Sequence, residues 1–232
     1  MTAFLDKASV RDAVWTTIDD GLGAFPFPSR HRIPSFKGAK AAAERLFAES
    51  SISGCSSLKI NPDAPQRYVR HLALKAGITV FVPTPRLQGG MLKLDPETID
   101  PKDLWKASSI KGLETFATDV ALDALPPIDG FVVGCVAVTP RGMRCGKGHG
   151  FADLESAILG EFGVTPRHVF TTVHDVQVVD GFPTEPHDLQ ITAFATPTRL
   201  VTTDAEVTPK IDWDIVDQDL PILKELVESE PG

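Results

Sequence analysis

Residues 135–155 read CVAVTPRGMRCGKGHGFADLE, and this stretch decides the fold that we predict. The apolar run from Phe131 to Val138 has the composition of a buried strand, and residues 139–142 then form a turn. A glycine cluster at 146–150 follows, after which apolar residues recur at helical spacing. The sequence therefore predicts a strand, a turn and a glycine-rich loop at a helix N-terminus. Four residues are expected on the buried face of that helix: Phe151, Leu154, Ile158 and Leu159.

The glycine cluster is a candidate anion site. Free N–H groups and the positive end of the dipole at a helix N-terminus attract anions, and alternating glycines let a phosphate approach the main chain. Lys147 adds a mobile cation, while Asp153 in the first helical turn is placed to hold a magnesium ion that bridges phosphate oxygens. The G-x-G-x-G spacing fits neither established nucleotide fingerprint, so a simple turn with left-handed glycines remains an alternative. For Asp153 the alternative is a charge that interacts with the helix dipole.

Length and composition favour one domain. The chain has 232 residues, of which 42% are hydrophobic, and this is enough for one sizeable core. We expect an α/β domain over residues 1–203 and an acidic, proline-broken segment, 204–232, that packs on its surface. Three cysteines without a C-x-x-C pair indicate neither a disulfide framework nor a cysteine zinc site.

Charge and hydropathy exclude several classes of protein. A formal net charge of -8 argues against nucleic acid as the main partner. No apolar run is long enough to cross a bilayer, and residues 1–20 lack the order of a signal peptide. We therefore expect a cytoplasmic protein that associates with neither nucleic acid nor membrane.

Alternation of strands and helices predicts a three-layer α/β/α fold with a mainly parallel sheet. Residues 58–61, 65–76 and 78–82 form a βαβ unit, and 168–173 predict another parallel strand. The alanine-rich segment 37–49 predicts a helix that brings three residues to the core: Ala41, Leu46 and Phe47.

Further candidate ligand contacts lie on the first predicted helix and after the 78–82 strand. A first helix over 7–20 buries Val10, Val14, Trp15 and Ile18, and it places Lys7 and Arg11 four residues apart, where both can reach one phosphate chain. Arg86 and Met91 follow the 78–82 strand, where α/β sheets build ligand sites. Arg86 suits a carboxylate or phosphate and Met91 suits an aromatic ring. Solvated helix charges, a salt bridge and ordinary packing are the respective alternatives.

These pieces together resemble the 5-formyltetrahydrofolate cyclo-ligase (methenyltetrahydrofolate synthetase) family, over about residues 5–201. The resemblance rests on Lys7-x-x-x-Arg11, the strand 129–137 that leads into Gly146-x-Gly148-x-Gly150-Phe151-Ala152-Asp153, and Glu185-x-His187-Asp188. Segments 32–39, 59–62, 82–87 and 173–179 are most similar to the subfamily that carries this module within a domain-containing protein.

The resemblance implies a NagB/RpiA-like fold and an ATP- and magnesium-dependent ring closure of 5-formyltetrahydrofolate. It implies ATP-binding residues Lys7, Arg11, Gly146, Lys147, Gly148, His149, Gly150 and Phe151. It also implies catalytic roles for Lys147 and Asp153, with Asp153 on magnesium, and a reduced folate contacted by Arg86, Met91 and Phe151. Such a protein is expected to be a monomer or homodimer.

The glycine loop departs from the family pattern at three positions. His149 replaces a glycine, and Phe151 and Ala152 replace two tyrosines. A protonated imidazole at His149 can donate to phosphate, or the residue can lie exposed in the loop. Three functions stay open: the cyclo-ligase reaction, a related enzyme with another folate or amide-like substrate, and a non-catalytic module that binds nucleotide or folate.

Overall fold

The computed structural model describes residues 4–25, 27–148 and 150–207, without the side chain of Arg86. Ten strands lie in the described part of the chain: β1 (Ser57–Ile60), β2 (Thr79–Pro83), β3 (Met91–Leu94), β4 (Thr118–Val120), β5 (Gly130–Val132), β6 (Ala137–Val138), β7 (Arg144–Cys145), β8 (His168–Thr172), β9 (Ala193–Ala195) and β10 (Leu200–Thr202). Most of the acidic segment predicted to pack on the surface, residues 208–232, lies outside the described residues, and so does His149.

Seven α-helices accompany these strands in the described ranges: α1 (Lys7–Asp19), α2 (Ala39–Leu46), α3 (Ser50–Ser53), α4 (Arg67–Lys75), α5 (Leu104–Ala107), α6 (Ile110–Phe116) and α7 (Phe151–Glu161). Short 3-10 turns, such as Pro85–Leu87 and Asp175–Gln177, connect several of them. None of the described helices has the length and apolar character that a membrane span requires.

Eight strands form the central sheet in the order β10-β9-β8-β5-β1-β2-β3-β4. The five strands from β9 to β2 run parallel, while β10, β3 and β4 add antiparallel edges. Strands β6 and β7 form a separate hairpin. This arrangement confirms the predicted α/β fold with a mainly parallel sheet, and the β1-α4-β2 unit is the βαβ unit expected from the sequence.

The sheet has a hydrophobic core on each face. In β2, Val80 and Val82 join one cluster with α2 and α4, whereas Phe81 joins another with Phe131 and α7. This alternation follows from the two-residue period of a strand, and it places helices on both faces. Helix α1 covers the β6-β7 hairpin through a third cluster, in which the predicted residues Val10, Val14, Trp15 and Ile18 are buried.

Two local expectations were wrong. The apolar run 131–138 is not one strand: β5 ends at Val132, the chain leaves the sheet, and β6 pairs with β7 instead. Gly134 lies at this exit, where a Cβ atom would come within 2.5 Å of Oδ2 of Asp63. In α2, Ala41 is exposed, because Ala42, Ala43 and Leu46 occupy the inner face; Leu46 is buried as predicted, and Phe47, just after the helix, packs against the core while partly buried.

Arg70 on α4 holds the loop that follows β1. Its side chain is 1% exposed, and it donates to the carbonyl oxygens of Ser108 at 2.9 Å and of Asn61 at 2.5 Å. Burial lowers the pKa of Arg70 to about 10, although the charge of Asp63 opposes this shift. The guanidinium thus joins helix α4 to residues 61–63, which line the cleft described below.

Replacing Arg70 with Met should reduce the free energy of unfolding by about 3 kcal/mol, because the carbonyls that it contacts would lose their donors inside the protein. Chemical denaturation measures this loss. Lys75→Met, at the exposed end of the same helix, is the matched control and should change stability by less than about 0.5 kcal/mol. Similar unfolding midpoints for the two variants would contradict the role assigned to Arg70.

Candidate functional site

A cleft of about 880 Å³ lies where β1, β2 and β5 end and where helix α7 begins. In parallel sheets this edge collects the loops that bind ligands. Residues 61–63 follow β1, Thr84 and Pro85 follow β2, and Gly134 follows β5. The glycine loop and the first helix complete the wall, so the structure brings together sequence segments that are far apart.

Lys7 and Arg11 both line the cleft that also contains the glycine loop. The Lys7 ammonium contacts both carboxylate oxygens of Asp188, at 2.6 and 2.5 Å. Nε of Arg11 donates to the carbonyl oxygen of Gly146 at 2.7 Å. Gly148 has a φ angle of +110°, and a Cβ atom there would lie 3.5 Å from the Arg11 guanidinium carbon. One helix face therefore supplies two cations to the edge of the loop.

Arg144 anchors the glycine loop from the interior of the protein. It is 4% exposed, and it donates to the carbonyl oxygen of Gly134 at 3.2 Å and to Asp153 at 2.5 Å. The other carboxylate oxygen of Asp153 accepts from the Leu189 N–H group at 2.9 Å. Burial by itself would raise the pKa of Asp153, but the charge and hydrogen bond of Arg144 hold it below its ordinary value. Asp153 is therefore ionised at neutral pH.

Asp153 is the only predicted metal ligand, and its surroundings limit the kind of metal site that it can form. The described residues contain no cluster of three or more His, Cys, Asp or Glu side chains that is suited to a metal ion. Each oxygen of Asp153 already accepts one hydrogen bond, which leaves about one further lone pair on each oxygen for a metal ion or another donor. The residues fit a magnesium ion that takes one carboxylate from the protein and its other ligands from phosphate and water.

A second group of polar side chains lies around the end of β1: Asn61, Asp63 and Glu155 line the cleft, and Lys59 is buried behind them. Lys59 is fully buried, donates to Oδ1 of Asn61 at 2.6 Å and forms an ion pair with Glu155 on α7. Asp63 lies against Gly134, and the positive charge of Lys147 acts on the Asp63 carboxyl group. The cleft thus combines cations at the glycine loop with carboxylates near β1.

Comparison with known proteins identifies the family of this chain. The model of the 5-formyltetrahydrofolate cyclo-ligase family matches residues 11–197. The chain belongs to this family. It is 40% identical over 243 residues to a methenyltetrahydrofolate synthase domain-containing protein of Bos taurus, and 40% identical over 241 residues to that of Mus musculus. The alignments cover 98% and 97% of this chain but only 63% and 64% of those relatives.

A solved structure supports the same fold. The 5,10-methenyltetrahydrofolate synthetase of Aquifex aeolicus superposes with a TM-score of 0.55, over 90% of this chain and 99% of the other, at 13% sequence identity. The predictions of this cyclo-ligase family and of its similarity to the domain-containing proteins are therefore confirmed. Membership of an enzyme family is confirmed with them.

The described residues predicted to hold nucleotide and magnesium, on α1 and in the glycine loop, lie together. Lys7, Arg11, Gly146, Lys147, Gly148, Gly150, Phe151 and Asp153 all line the cleft. Phe151 begins α7 and is 39% exposed, so its predicted place on the buried face of the helix was wrong; it lines the cleft, and its predicted ligand contacts stay a prediction. The role predicted for His149 concerns a residue outside the described ranges.

The two predicted substrate contacts after β2 have different outcomes. Met91 is fully buried in β3 beside Leu87 and Phe131, so the structure places it in the core rather than on the cleft wall. The antiparallel pairing of β3 with β2 turns its side chain into that core. The backbone of Arg86 forms part of the 3-10 turn Pro85–Leu87, and its predicted ligand contact stays a prediction.

Sequence reasoning missed several residues of the site: Lys59, Asp63, Arg144, Glu155 and Asp188 as the partner of Lys7. Lys59 carried a usable indication, since it is a charged residue between two apolar residues, Leu58 and Ile60, of a predicted buried strand. The Glu185-x-His187-Asp188 motif drew attention to Asp188 but did not show that Lys7 is its partner. Glu155 and Arg144 could be assigned only once α7 and β7 had been placed in space.

Asp63 gives the site a testable pH dependence. Burial raises its pKa above the ordinary value, although Lys147, Arg70, Lys59 and Arg144 oppose the shift. An acid whose pKa is higher in the folded chain contributes stability below its unfolded pKa and loses that contribution as the pH rises through the folded value.

Asp63→Asn should therefore be more stable than the wild-type chain at pH 7, and the difference should shrink toward pH 4. Thermal unfolding between these pH values measures it. Asp123→Asn, at an exposed position away from the cleft, should follow the wild-type pH curve. A difference for Asp63→Asn that is the same at both pH values would show that ionisation of Asp63 is not its cause.

Proposed function

We propose that this chain catalyses the ATP- and magnesium-dependent conversion of 5-formyltetrahydrofolate to 5,10-methenyltetrahydrofolate, with release of ADP and phosphate. The observation that carries the proposal is a single cleft, in a chain of the cyclo-ligase family, where Lys7, Arg11 and Lys147 meet a glycine loop at the start of α7. Backbone N–H groups, a helix dipole and mobile cations are the groups that bind a polyphosphate.

The reaction consists of two displacements. The formyl oxygen attacks the γ-phosphorus of ATP, the bond from that phosphorus to ADP breaks, and ADP leaves. N10 then attacks the activated formyl carbon, and the phosphorylated oxygen departs as phosphate while N10 loses its proton. Transfer of this kind depends on alignment and charge neutralisation more than on a strong protein base.

The residues of the cleft supply these requirements. Asp188 holds the Lys7 ammonium through both carboxylate oxygens, so that this cation is oriented before a phosphate arrives. Gly146 fixes Arg11 through its carbonyl oxygen. Arg144 keeps Asp153 ionised and anchored, and Asp153 is the residue that would hold magnesium. The ion would supply positive charge that neutralises phosphate oxygens.

The volume of the cleft is in the range expected for a site that binds a small organic substrate. A drug-sized ligand occupies a pocket of roughly 300–1,000 Å³, and this cleft measures about 880 Å³. Apolar side chains of Val82, Leu92 and Leu113 line it together with the polar groups. A flat heterocycle can pack on such side chains while its tail and the nucleotide phosphates reach the cations.

Phe151 and Ala152 support a second candidate function. Both residues line the cleft. The cyclo-ligase family pattern has tyrosines at these two positions, so the hydroxyl groups of those tyrosines are absent here. A related enzyme that acts on a different folate or amide-like substrate would account for this change. The proposed cytoplasmic location and the monomeric or homodimeric state accompany either function.

The decisive experiment follows the absorbance of the methenyl product. Purified protein with ATP, magnesium and 5-formyltetrahydrofolate should form it, and Lys7→Ala should lower the rate by about a hundredfold, because loss of one group that stabilises transition-state charge costs ~3 kcal/mol. Lys40→Ala, at an exposed position outside this cleft, is the control and should retain the wild-type rate. ATP binding without any methenyl product would exclude the first function and favour the second.

Gly148→Ala should weaken ATP binding by about tenfold or more. Its φ angle of +110° is strained for alanine, and the new Cβ would lie against the Arg11 guanidinium group. Gly163→Ala is a matched control. It also places an alanine at a positive φ angle, +75°, but just after α7, where the added Cβ atom would have no other residue within 4 Å apart from its chain neighbours. Calorimetry should show normal ATP affinity for Gly163→Ala. Equal affinities for the two variants would argue against phosphate binding at Gly148.

A further inference from the structure

Lys59 occupies an unusual position for a lysine. It lies in the central strand β1 with no exposed surface, and its neighbours across the sheet are Phe81 on β2 and Phe131 on β5. Its ammonium lies 5.2 Å from the centre of the Phe131 ring. Burial of a charge in such surroundings is costly unless it is paired, and the pair here is completed by Glu155 and Asn61.

Stability alone does not explain this ion pair. A buried pair is often no more stabilising than well-packed apolar residues of similar volume, because both ions lose their hydration. Leu58 and Ile60, on either side of Lys59 in β1, are apolar and fully buried. The pair therefore calls for a role beyond packing, and the position of Glu155 indicates one.

Glu155 joins the buried lysine to the cleft. Its side chain is 13% exposed and lines the cleft wall, as do Asn61 and Asp63. An ionised carboxylate can accept about four hydrogen bonds, so the ion pair with Lys59 leaves acceptor capacity for a ligand. Lys59 also limits the orientation of the carboxylate, which lowers the entropy cost of binding.

We infer that Glu155, positioned by Lys59, binds the paired N–H donors of a 2-amino-4-oxopyrimidine edge, the edge that the pterin ring of a reduced folate presents. This inference rests on the proposed function and assigns the ring end of the substrate to the carboxylate side of the cleft. An amino group and a neighbouring ring N–H match the two oxygens of one carboxylate. Glu155 is then the specificity-determining residue and Lys59 is a positioning residue.

Polar recognition of this kind discriminates strongly between ligands. A site whose acceptors match the N–H donors of a ligand rejects an analogue that lacks one of those donors, because the acceptor of the site is then left unpaired. A 2-desamino analogue of 5-formyltetrahydrofolate should accordingly bind the wild-type protein at least tenfold more weakly than 5-formyltetrahydrofolate itself. Discrimination between these two ligands reports on the contact directly and does not require turnover.

The test uses calorimetry on the full chain with a non-hydrolysable ATP analogue present. Glu155→Gln should weaken 5-formyltetrahydrofolate binding by about ten- to a hundredfold, since hydrogen bonds to a charged group are among the stronger ones. It should also reduce discrimination against the 2-desamino analogue and leave affinity for the ATP analogue unchanged. Glu161→Gln, at the exposed end of the same helix, should behave as wild type.

A double variant separates binding from folding. Lys59→Met with Glu155→Met removes both charges, so its melting temperature should be at or above that of Glu155→Gln, which leaves Lys59 without its anionic partner. Its folate affinity should remain low. Recovery of both stability and folate affinity in the double variant would overturn the inference, because the pair would then serve packing alone.

The outcomes also distinguish this inference from the proposed function. In one outcome, Glu155→Gln binds both ligands, and discriminates between them, as the wild-type chain does, while the wild-type chain forms the methenyl product. This outcome would overturn the inference and leave the cyclo-ligase function standing. A wild-type chain that binds ATP but does not bind 5-formyltetrahydrofolate would overturn both. Selective loss of folate binding and discrimination in Glu155→Gln, with normal ATP affinity, would support the assignment.

Discussion

The buried ion pair between Arg144 and Asp153 is the interaction on which the site depends. Arg144 also donates to the carbonyl oxygen of Gly134, where the chain leaves β5, and Asp153 accepts from the N–H group of Leu189. The exit from β5, strand β7, the start of α7 and the segment around Leu189 therefore meet at two side chains. Loss of either partner would leave an unpaired charge in the interior, which is far more costly than absence of the pair as a whole. The glycine loop lies between the two partners and takes its position from them.

Charge compensation extends the same arrangement along the cleft. Lys7 pairs with Asp188 and Lys59 pairs with Glu155, so several cations of the site already have an anionic neighbour. At the phosphate side, an arriving ligand need not orient Lys7, because the side-chain entropy of Lys7 has been lost during folding. The phosphate must instead compete with Asp188 for the hydrogen bonds of the Lys7 ammonium. Arg11, whose Nε donates to a backbone carbonyl, keeps other guanidinium donors available for an anion.

The sequence predicted the features that follow from local patterns. Apolar spacing identified α1 and its buried residues, and the glycine cluster before Phe151 identified the start of α7. These features depend on periodicity and on backbone conformation, which neighbouring residues report. The split of the run 131–138 into β5 and β6 could not be predicted in this way. A strand that ends at Val132 and one that continues to Val138 have the same apolar composition, and the exit at Gly134 involves a close approach to Asp63, a residue distant in sequence that local composition does not report.

Side-chain pairs across the cleft were the least predictable part of the site. Glu155 occupies a helical position that would suit a solvated charge, and only the packing of α7 against β1 gives it Lys59 as a partner. Met91 shows the opposite error, since its place after a strand suggested a ligand contact, whereas pairing of β3 with β2 buries it. Both outcomes depend on tertiary packing, and a single sequence without spatial information does not specify it.

Net charge and local charge act on different scales in this protein. The formal charge of -8 opposes the approach of a polyanion from a distance, but salt screens such repulsion beyond about 8–10 Å. At the loop the relevant charges are those of Lys7, Arg11 and Lys147, together with the dipole at the start of α7. An acidic chain can therefore bind a nucleotide through a local basic site. For the same reason, the overall composition that argued against a nucleic-acid backbone as partner says little about a small phosphate ligand.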